Sequence, residues 1–178
     1  MNALVVLPTY NERSNLERVA AGILAHDFAS LLVVDDQSPD GTGAIADALA
    51  EQTNGRVQVL HRTGARGLGL AYVDGLTHAI ASGADAIIQM DADLSHDPKY
   101  LPDLVGALDQ HDLVIGSRYL HGVSVVNWPL HRIALSAFAN RYIRTVTGLS
   151  THDCTSGFRA WRRDALARQP LHDLRPGG

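Results

Sequence analysis

Ala86-Ile87-Ile88-Gln89-Met90-Asp91-Ala92-Asp93 is an apolar segment of strand length that leads directly into two carboxylates. Such a segment is typical of a buried strand. Two like charges so close together repel each other, and a bound cation would remove that cost, since Mg²⁺ commonly binds one or two carboxylates together with substrate phosphates. Two interpretations stay open: a metal-assisted site for a phosphate-bearing substrate, or a solvated acidic turn that caps the next helix.

Four further segments share this apolar character, which suits parallel strands that are covered on both faces. The five predicted strands are Ala3–Leu7, Leu31–Val34, Val57–Leu60, Ala86–Met90 and Leu113–Ile115. Segments with helical periodicity lie between or after them, at Asn15–Ala25, Thr42–Glu51, Leu70–Ala81, Pro98–Leu108 and Pro129–Thr147. This alternation predicts an α/β fold, an open and mainly parallel sheet with helices on both faces.

The chain of 178 residues suits a single domain. We expect this domain to span residues 1–168 and an irregular tail to occupy 169–178. Ser14, with Glu17 three residues later, has the pattern of a capping box at the start of the first helix. Gly148 is expected to end the last helix in the left-handed conformation.

Composition excludes several classes of protein. The net charge of −4 offers no basic field, so no nucleic-acid partner is expected. The single cysteine, Cys154, excludes an internal disulfide and a cysteine-based zinc site. We find no signal peptide and no apolar stretch of the ~18 residues that a membrane span needs, so we expect a cytoplasmic protein. Lys99 is the single lysine among 15 lysines and arginines, so phosphate contacts fall to guanidinium groups.

Polar clusters follow four of the predicted strands at their carboxyl ends, where open α/β sheets bind ligands. The clusters are Pro8-Thr9-Tyr10-Asn11-Glu12, Asp35-Asp36-Gln37-Ser38-Pro39-Asp40-Gly41, Asp91-Ala92-Asp93-Leu94-Ser95-His96 and Gly116-Ser117-Arg118-Tyr119. Turn chemistry alone explains the segment 38–41 well, but it explains Tyr10, Glu12 and Arg118 poorly. We therefore expect the four clusters to share one rim.

Arginines near this rim are candidate phosphate ligands. Arg132 and Ser136 lie four residues apart and so share one face of a predicted helix, although a solvated stripe would have the same pattern. Arg62 and Arg66 lie in a glycine-rich loop that is expected to face a phosphate. That loop is not a G-x-G-x-x-G fingerprint, so a dinucleotide site receives little support.

The motifs, taken in order, carry a family resemblance. They are Leu7–Glu12, Val34–Asp36, Ser38–Thr42, Gly67-Leu68-Gly69 with Ala71-Tyr72, Met90–His96, Gly116–Tyr119, Trp128-Pro129 with Arg132 and Ser136, and Asp153 with Ser156–Arg159. This set resembles the polyprenol-phosphate (dolichol-phosphate) mannose synthases, which are inverting glycosyltransferases with the Rossmann-like glycosyltransferase-A fold. The resemblance spans residues 3 to about 165.

The resemblance implies a role for each matched residue. Pro8, Tyr10, Glu12, Asp35, Asp36 and Asp91 would bind the nucleotide sugar. Asp91, Asp93 and Ser95 would hold Mg²⁺ or Mn²⁺, with His96 in a supporting position. Arg118, Arg132 and Ser136 would hold the acceptor phosphate, and Asp153 and Ser156 would border the sugar and the acceptor. Asp91, Asp93 and Arg118 would serve the catalytic step.

The implied reaction transfers mannose from GDP-mannose to a polyprenyl (dolichyl) monophosphate with inversion. A phosphate monoester carries close to two charges at pH 7 and is already a nucleophile. Arginines and a metal ion would have to offset the repulsion between the two anionic reactants. Since the acceptor is a membrane lipid, a peripheral encounter with the cytoplasmic face of the membrane is also implied.

The sequence departs from the family pattern at two places. Ala65 stands where relatives usually carry a lysine, and Arg66 lies next to it. The family continues beyond its Ser-Gly-Phe-Arg motif with a helix, a strand, a basic loop and a membrane-proximal helix, and nothing equivalent follows Ala167. Without that strand, an unpaired sheet edge would favour association with a second copy or a partner subunit.

Three other functions compete with this hypothesis. The chain could be a related transferase that uses another sugar, nucleotide or acceptor, or a nucleotide-binding module that does not turn over. The segment Leu32–Asp36 is also similar to part of a signalling receiver domain. Receivers, however, carry their acidic pair after the first strand and a lysine after the last, and this chain has neither.

Overall fold

The computed structural model describes residues 1–117, 141–142, 145–146, 148 and 153–173, and in these residues it contains one six-stranded sheet. The strands are β1 Ala3–Thr9, β2 Ala29–Asp35, β3 Val57–His61, β4 Ala86–Gln89, β5 Leu113–Ile115 and β6 Arg159–Arg162. The helices are α1 Leu16–Leu24, α2 Thr42–Gln52, α3 Leu68–Ala81, α4 Leu101–Ala107 and α5 Arg163–Ala167, with short 3-10 helices at Pro98–Tyr100 and Leu171–Asp173.

The sheet has the strand order β3-β2-β1-β4-β6-β5. β1 pairs in parallel with β2 and β4, and β2 pairs in parallel with β3. β6 is antiparallel to both of its neighbours, β4 and β5. The predicted α/β fold with a mainly parallel sheet is therefore confirmed, with one antiparallel strand that the sequence did not predict.

The direction in which the chain adds strands reverses at β1. From β1 the sheet grows through β2 and β3 on one side, and through β4 on the other. The register places Thr9 opposite Asp35, and the backbone N–H of Met90 donates to the carbonyl of Val6. The segments that follow β1, β2 and β4 thus emerge at the same edge, at the kind of switch point where open α/β sheets bind ligands.

Alternating side chains of the strands form a core on each face of the sheet, because successive residues of a strand point to opposite sides. On one face, Val5 and Leu31 pack with α1, α2 and α4. On the other face, Val6 and Leu32 pack with α3 and α5. The prediction of helices on both faces is confirmed, and it explains why β1 and β2 are buried along almost their whole length.

The prediction for the start of the first helix is wrong, whereas Gly148 has the backbone conformation that was predicted for it. The predicted capping box is wrong, because Asn15 precedes α1 and makes no capping hydrogen bond with its side chain. The carbonyl of Glu12 instead accepts hydrogen bonds from the backbone N–H groups of Asn15 and Leu16. Gly148 has a φ of 71°, which is the left-handed conformation predicted for it.

The predicted helix Pro129–Thr147 lies mostly outside the described residues. Near the carboxyl end of the chain, Leu171 is buried in the second core and belongs to a 3-10 helix. The division into a domain at 1–168 and a tail at 169–178 stays a prediction.

Candidate functional site

A pocket of about 500 Å³ opens beyond the carboxyl ends of β1, β2 and β4. Its lining comes from the segments that follow these strands, from the glycine-rich loop and from the start of α3: Pro8, Thr9, Tyr10, Glu12, Asp36, Arg66, Gly67, Leu68, Ala71, Asp91, Ala92 and Asp93. The pocket therefore brings together six of the predicted site residues, which are Pro8, Tyr10, Glu12, Asp36, Asp91 and Asp93.

The loop after β1 is attached to the loop after β2 by backbone donors. The N–H of Asn11 donates to Ser38 Oγ at 3.1 Å, and the N–H of Glu12 donates to Thr42 Oγ1 at 3.0 Å. The Thr42 hydroxyl in turn donates to Asp40 Oδ1 at 2.6 Å. The segment 38–42 is thus a structural turn, and it supports the loop that carries Tyr10 and Glu12 into the pocket.

Asp35 and Asp36 occupy different environments. Asp35 is buried, lies outside the pocket lining in the described part of the chain, and accepts a hydrogen bond from Thr9 Oγ1 at 3.4 Å. Asp36 lines the pocket, where its Oδ2 accepts from the backbone N–H of Gly67 at 2.8 Å and its Oδ1 pairs with Arg62. Both oxygens of Asp36 are therefore engaged in holding the glycine-rich loop in place.

The expectation that Arg62 faces a phosphate is wrong. Arg62 is 8% exposed and forms ion pairs with Asp36 and with Asp74, whose Oδ2 lies 2.6 Å from Nε. Its Nη2 also donates to the carbonyl of Ala65 at 3.0 Å. Two carboxylates from other elements bind this guanidinium. Arg62 therefore stabilises the loop from within the protein and does not line the pocket.

Arg66 is the arginine of this loop that lines the pocket. Its guanidinium lies 4.6 Å from the centroid of the Tyr10 ring, and its Nη1 donates to the Tyr10 hydroxyl at 2.7 Å. An arginine stacked on an aromatic ring in this way keeps several N–H donors for an anion. Arg66 thus places a positive charge in the pocket lining, next to Ala65.

Tyr72 of α3 makes a contact with Asp91 that the sequence did not predict. The Tyr72 hydroxyl donates to Asp91 Oδ1 at 2.7 Å. Burial and then the charge of Asp91 raise the pKa of Tyr72 far above its usual range, so the phenol stays a hydrogen-bond donor. Tyr72 stood within a family motif, but the distance from α3 to the end of β4 could not be read from the sequence.

His96 and the turn before β6 support Asp91 from another side. The backbone N–H of Asp91 donates to His96 Nδ1 at 3.0 Å, and the His96 ring stacks on Phe158 with 5.0 Å between the ring centroids. A Cβ on Gly157 would lie 2.8 Å from Asp91 Oδ2, so a side chain at this position would displace the Asp91 carboxylate. His96 thus contacts the backbone of Asp91, and its supporting role at a metal site stays a prediction.

Asp93 and Ser95 form a turn at the mouth of the pocket. Asp93 is exposed, and its Oδ1 accepts from the backbone N–H of Ser95 at 2.9 Å. Asp97, not Asp93, caps the following 3-10 helix by accepting from the N–H of Lys99. Ser95 lies outside the pocket lining in the described residues, and its role as a metal ligand stays a prediction.

Two of the five predicted acceptor residues lie in the described part of the chain. Asp153 and Ser156 are almost completely buried. Ser156 Oγ donates to the carbonyl of Gly116 at 2.7 Å and accepts from the N–H of Phe158 at 3.2 Å, so this hydroxyl joins the end of β5 to β6. Arg118, Arg132 and Ser136 lie outside the described residues. The acceptor roles of all five stay predictions.

Within the described ranges, no helix combines the length and the apolar character needed to cross a membrane.

Comparisons with known proteins agree with the observed fold. The sequence profile of Glycosyl transferase family 2 matches residues 4–169. A polyprenol monophosphomannose synthase from Mycolicibacterium smegmatis is 48% identical over 170 residues, which cover 94% of this chain and 64% of that protein. An undecaprenyl-phosphate mannosyltransferase from Micrococcus luteus is 44% identical over 179 residues, which cover 100% of this chain and 73% of that protein. The chain thus spans roughly two thirds of the length of these relatives.

Solved structures show the same fold at lower sequence identity. The mannosyltransferase from Pyrobaculum calidifontis, solved in complex with GDP-Man and Mn²⁺, aligns with a TM-score of 0.63 and 22% identity, over 94% of this chain and 46% of that one. This likeness confirms the glycosyltransferase-A fold. The profile covers nearly the entire sequence and the relatives are 44% and 48% identical, so the chain belongs to glycosyltransferase family 2.

Proposed function

We propose that this chain binds GDP-mannose and transfers its mannose, with inversion, to a polyprenyl monophosphate. The observation that carries the proposal is the single pocket that brings Tyr10, Glu12, Asp91 and Asp93 together at the switch point of the sheet. The names of the two curated relatives support the sugar and the class of acceptor.

One half of the pocket suits a nucleoside. Tyr10 is 44% exposed, and its ring can stack on a base, since every base presents an aromatic face. Glu12 offers a carboxylate to hydroxyl or N–H donors of the nucleoside, and Pro8 adds an apolar side chain to the same lining. Arg66, stacked on Tyr10, supplies a positive charge to the diphosphate.

The other half suits a hard divalent cation that is shared with the donor diphosphate. Asp91 and Asp93 both line the pocket, whereas no group of three His, Cys, Asp or Glu in the described residues is arranged to hold a metal ion. Two carboxylates leave coordination positions for phosphate oxygens and water, which is how Mg²⁺ is usually bound. We therefore assign Asp91 and Asp93 to Mg²⁺ or Mn²⁺, with Ser95 as a further oxygen donor.

Within this proposal, the protein's main task is to hold two anionic reactants in line. The bound metal would stabilise the charge on the departing nucleoside diphosphate. Arg118, Arg132 and Ser136 would hold the acceptor phosphate, whose own oxygen attacks the sugar, so no general base is required. One displacement of this kind inverts the configuration at the sugar carbon.

A polyprenyl phosphate acceptor would bring the protein to a membrane surface. Tyr142 and Val146 lie four residues apart and are 61% and 65% exposed, with the exposed Arg141 beside them. Apolar side chains next to a cationic one suit the boundary between lipid headgroups and acyl chains. We therefore propose a peripheral encounter with anionic lipid through this segment.

A transfer assay with two matched variants tests the proposal. The protein is incubated with GDP-mannose, Mn²⁺ and a short polyprenyl phosphate, and lipid-linked mannose is measured. We expect transfer by the wild type, its loss in Asp93→Asn, and its retention in Asp97→Asn, which removes an exposed carboxylate of the same loop outside the pocket lining. Equal transfer by Asp93→Asn and the wild type would contradict the proposal.

Two further results would identify the competing functions. Faster transfer from another nucleotide sugar would assign the chain to a related transferase. Tight binding of GDP with Mn²⁺ but no transfer to any polyprenyl phosphate would indicate a binding module.

A further inference from the structure

Asp91 is held from three sides by groups that do not themselves line the pocket. Its Oδ1 accepts from the Tyr72 hydroxyl at 2.7 Å, and its backbone N–H donates to His96 Nδ1 at 3.0 Å. Its Oδ2 lies over Gly157, where a Cβ would approach to 2.8 Å. The Asp91 side chain remains 33% exposed, so the carboxylate is oriented but still accessible.

Tyr72 is suited to a role that depends on position. It lies one residue after Ala71, so the same turn of α3 forms the wall of the pocket and supports the carboxylate behind it. A phenol can both donate and accept a hydrogen bond, but it donates to a carboxylate. This hydrogen bond restricts the rotation of the Asp91 side chain.

Gly157 matters because it has no side chain, and not because of its backbone conformation. The φ of Gly157 is not positive, so a larger residue could adopt its backbone angles. A Cβ there would also come within 3.4 Å of Asp91 Cγ and of His96 Cε1. A side chain at 157 would therefore push the Asp91 carboxylate away from its present position.

We propose that Tyr72 is a positioning residue of the donor site, whose hydroxyl orients the Asp91 carboxylate for the metal-bound diphosphate while Gly157 keeps the space that this orientation needs. The inference rests on the proposed function, because it assumes that Asp91 binds the metal. Hydrogen-bond partners of a metal-binding carboxylate commonly change metal affinity strongly, although they do not contact the ion.

Calorimetric titration of GDP into the protein, with and without Mn²⁺, tests the inference separately from turnover. We expect Tyr72→Phe to weaken Mn²⁺-dependent GDP binding about 10- to 100-fold. It should leave metal-free GDP binding and the thermal midpoint unchanged, because the ring keeps its packing. Tyr100→Phe is the matched control, since it removes a phenol that is exposed outside the pocket, and it should behave like the wild type.

A double-mutant cycle shows whether Tyr72 acts through Asp91. If it does, Asp91→Asn combined with Tyr72→Phe binds Mn²⁺ and GDP no more weakly than Asp91→Asn alone. Additive losses, or a Tyr72→Phe protein that binds like the wild type, would overturn the inference.

Gly157→Ala gives a second route to the same conclusion. We expect it to weaken the Mn²⁺-dependent binding as Tyr72→Phe does, whereas Gly106→Ala, where a Cβ meets no described atom within 4 Å, should not. If the wild type shows no Mn²⁺-dependent binding of GDP, both the proposed function and this inference fail. If only Asp91→Asn loses that binding, the proposed function stands and the role of Tyr72 is refuted.

Discussion

At the scale of single residues, the pocket depends on how buried charges are paired. Arg62 joins Asp36, at the end of β2, to Asp74 on α3, and also holds the carbonyl of Ala65. This pairing compensates the burial of the Asp36 carboxylate, which would otherwise be costly. It also leaves Arg66 as the arginine of this loop that lines the pocket.

Arg62→Met should strongly destabilise the protein, since it leaves Asp36 buried without its cationic partner. We expect the free energy of unfolding to fall by ~3 kcal/mol, as measured by urea denaturation. Arg168→Met is the control, because Arg168 and its partner Asp112 are both 66% exposed and such pairs contribute little. A similar loss in both variants would show that the Arg62 pairs do not support the fold.

His61 should make stability depend on pH. Its hydrogen bond to Asp47, at 2.9 Å, raises the pKa of the imidazole above its usual 6.5, partial burial opposes this, and Asp35 raises the pKa further. Because the pKa of His61 is higher in the folded state than in the unfolded state, protonated His61 stabilises the fold. This stabilisation is fully present below pH 6.5 and is lost as the pH rises through the folded-state pKa. Asp47→Asn should therefore lower the urea midpoint of unfolding most below pH 6.5. A difference in midpoint from the wild type that does not change with pH would refute this role of His61.

The sequence predicted the members of the site better than their individual roles. Tyr10, Glu12, Asp91 and Asp93 could be placed together because each follows a strand whose direction was predicted correctly. Arg62 could not be assigned, because its partners lie 26 and 12 residues away along the chain and meet it through the fold. An arginine in a glycine-rich loop has the same local pattern whether it binds a ligand or a buried carboxylate.

At the scale of elements, α3 connects the pocket to the sheet. Gly67, Leu68 and Ala71 at its start form one wall of the pocket. Further along, Gly75 lets the helix approach the sheet closely, since a Cβ there would lie 2.6 Å from Val6 and 2.8 Å from Val34. The position of the pocket wall therefore depends on this contact.

Gly75→Ala should move α3 away from the sheet. We expect a loss of ~1–3 kcal/mol in the free energy of unfolding, which is the usual cost of overpacking a core. Gly106→Ala in α4 is the opposite case, because a Cβ there meets no described atom within 4 Å, and alanine favours a helix over glycine by ~1 kcal/mol. Chemical denaturation of both variants checks the prediction, which is wrong if Gly75→Ala is as stable as Gly106→Ala.

β6 shows why part of the sheet could not be predicted. Its sequence, Arg-Ala-Trp-Arg, has four residues and no continuous apolar run. Ala160 is fully buried because β4 and β5 flank it, a tertiary arrangement that leaves little local signal. The five predicted strands, by contrast, each coincide with an observed strand to within two residues at either end, because each is mostly apolar in sequence.

At the scale of the whole molecule, two cores on opposite faces hold the sheet, and the loops at one of its edges are left for binding. The pocket lies where the strand order reverses between β1 and β4, so its two halves come from separate βα units. We propose that one half binds the nucleoside and the other binds the metal and diphosphate. A single donor molecule would therefore bridge the two halves of the pocket.

Anomalous diffraction from crystals of the protein grown with GDP-mannose and Mn²⁺ would show whether one donor molecule spans both halves of the pocket. We predict one strong Mn²⁺ peak against the carboxylates of Asp91 and Asp93, with the diphosphate between that peak and Arg66 and with the base against Tyr10. Nucleotide density at any other place on the molecule, or a Mn²⁺ peak that contacts neither Asp91 nor Asp93, would contradict this mode of donor binding.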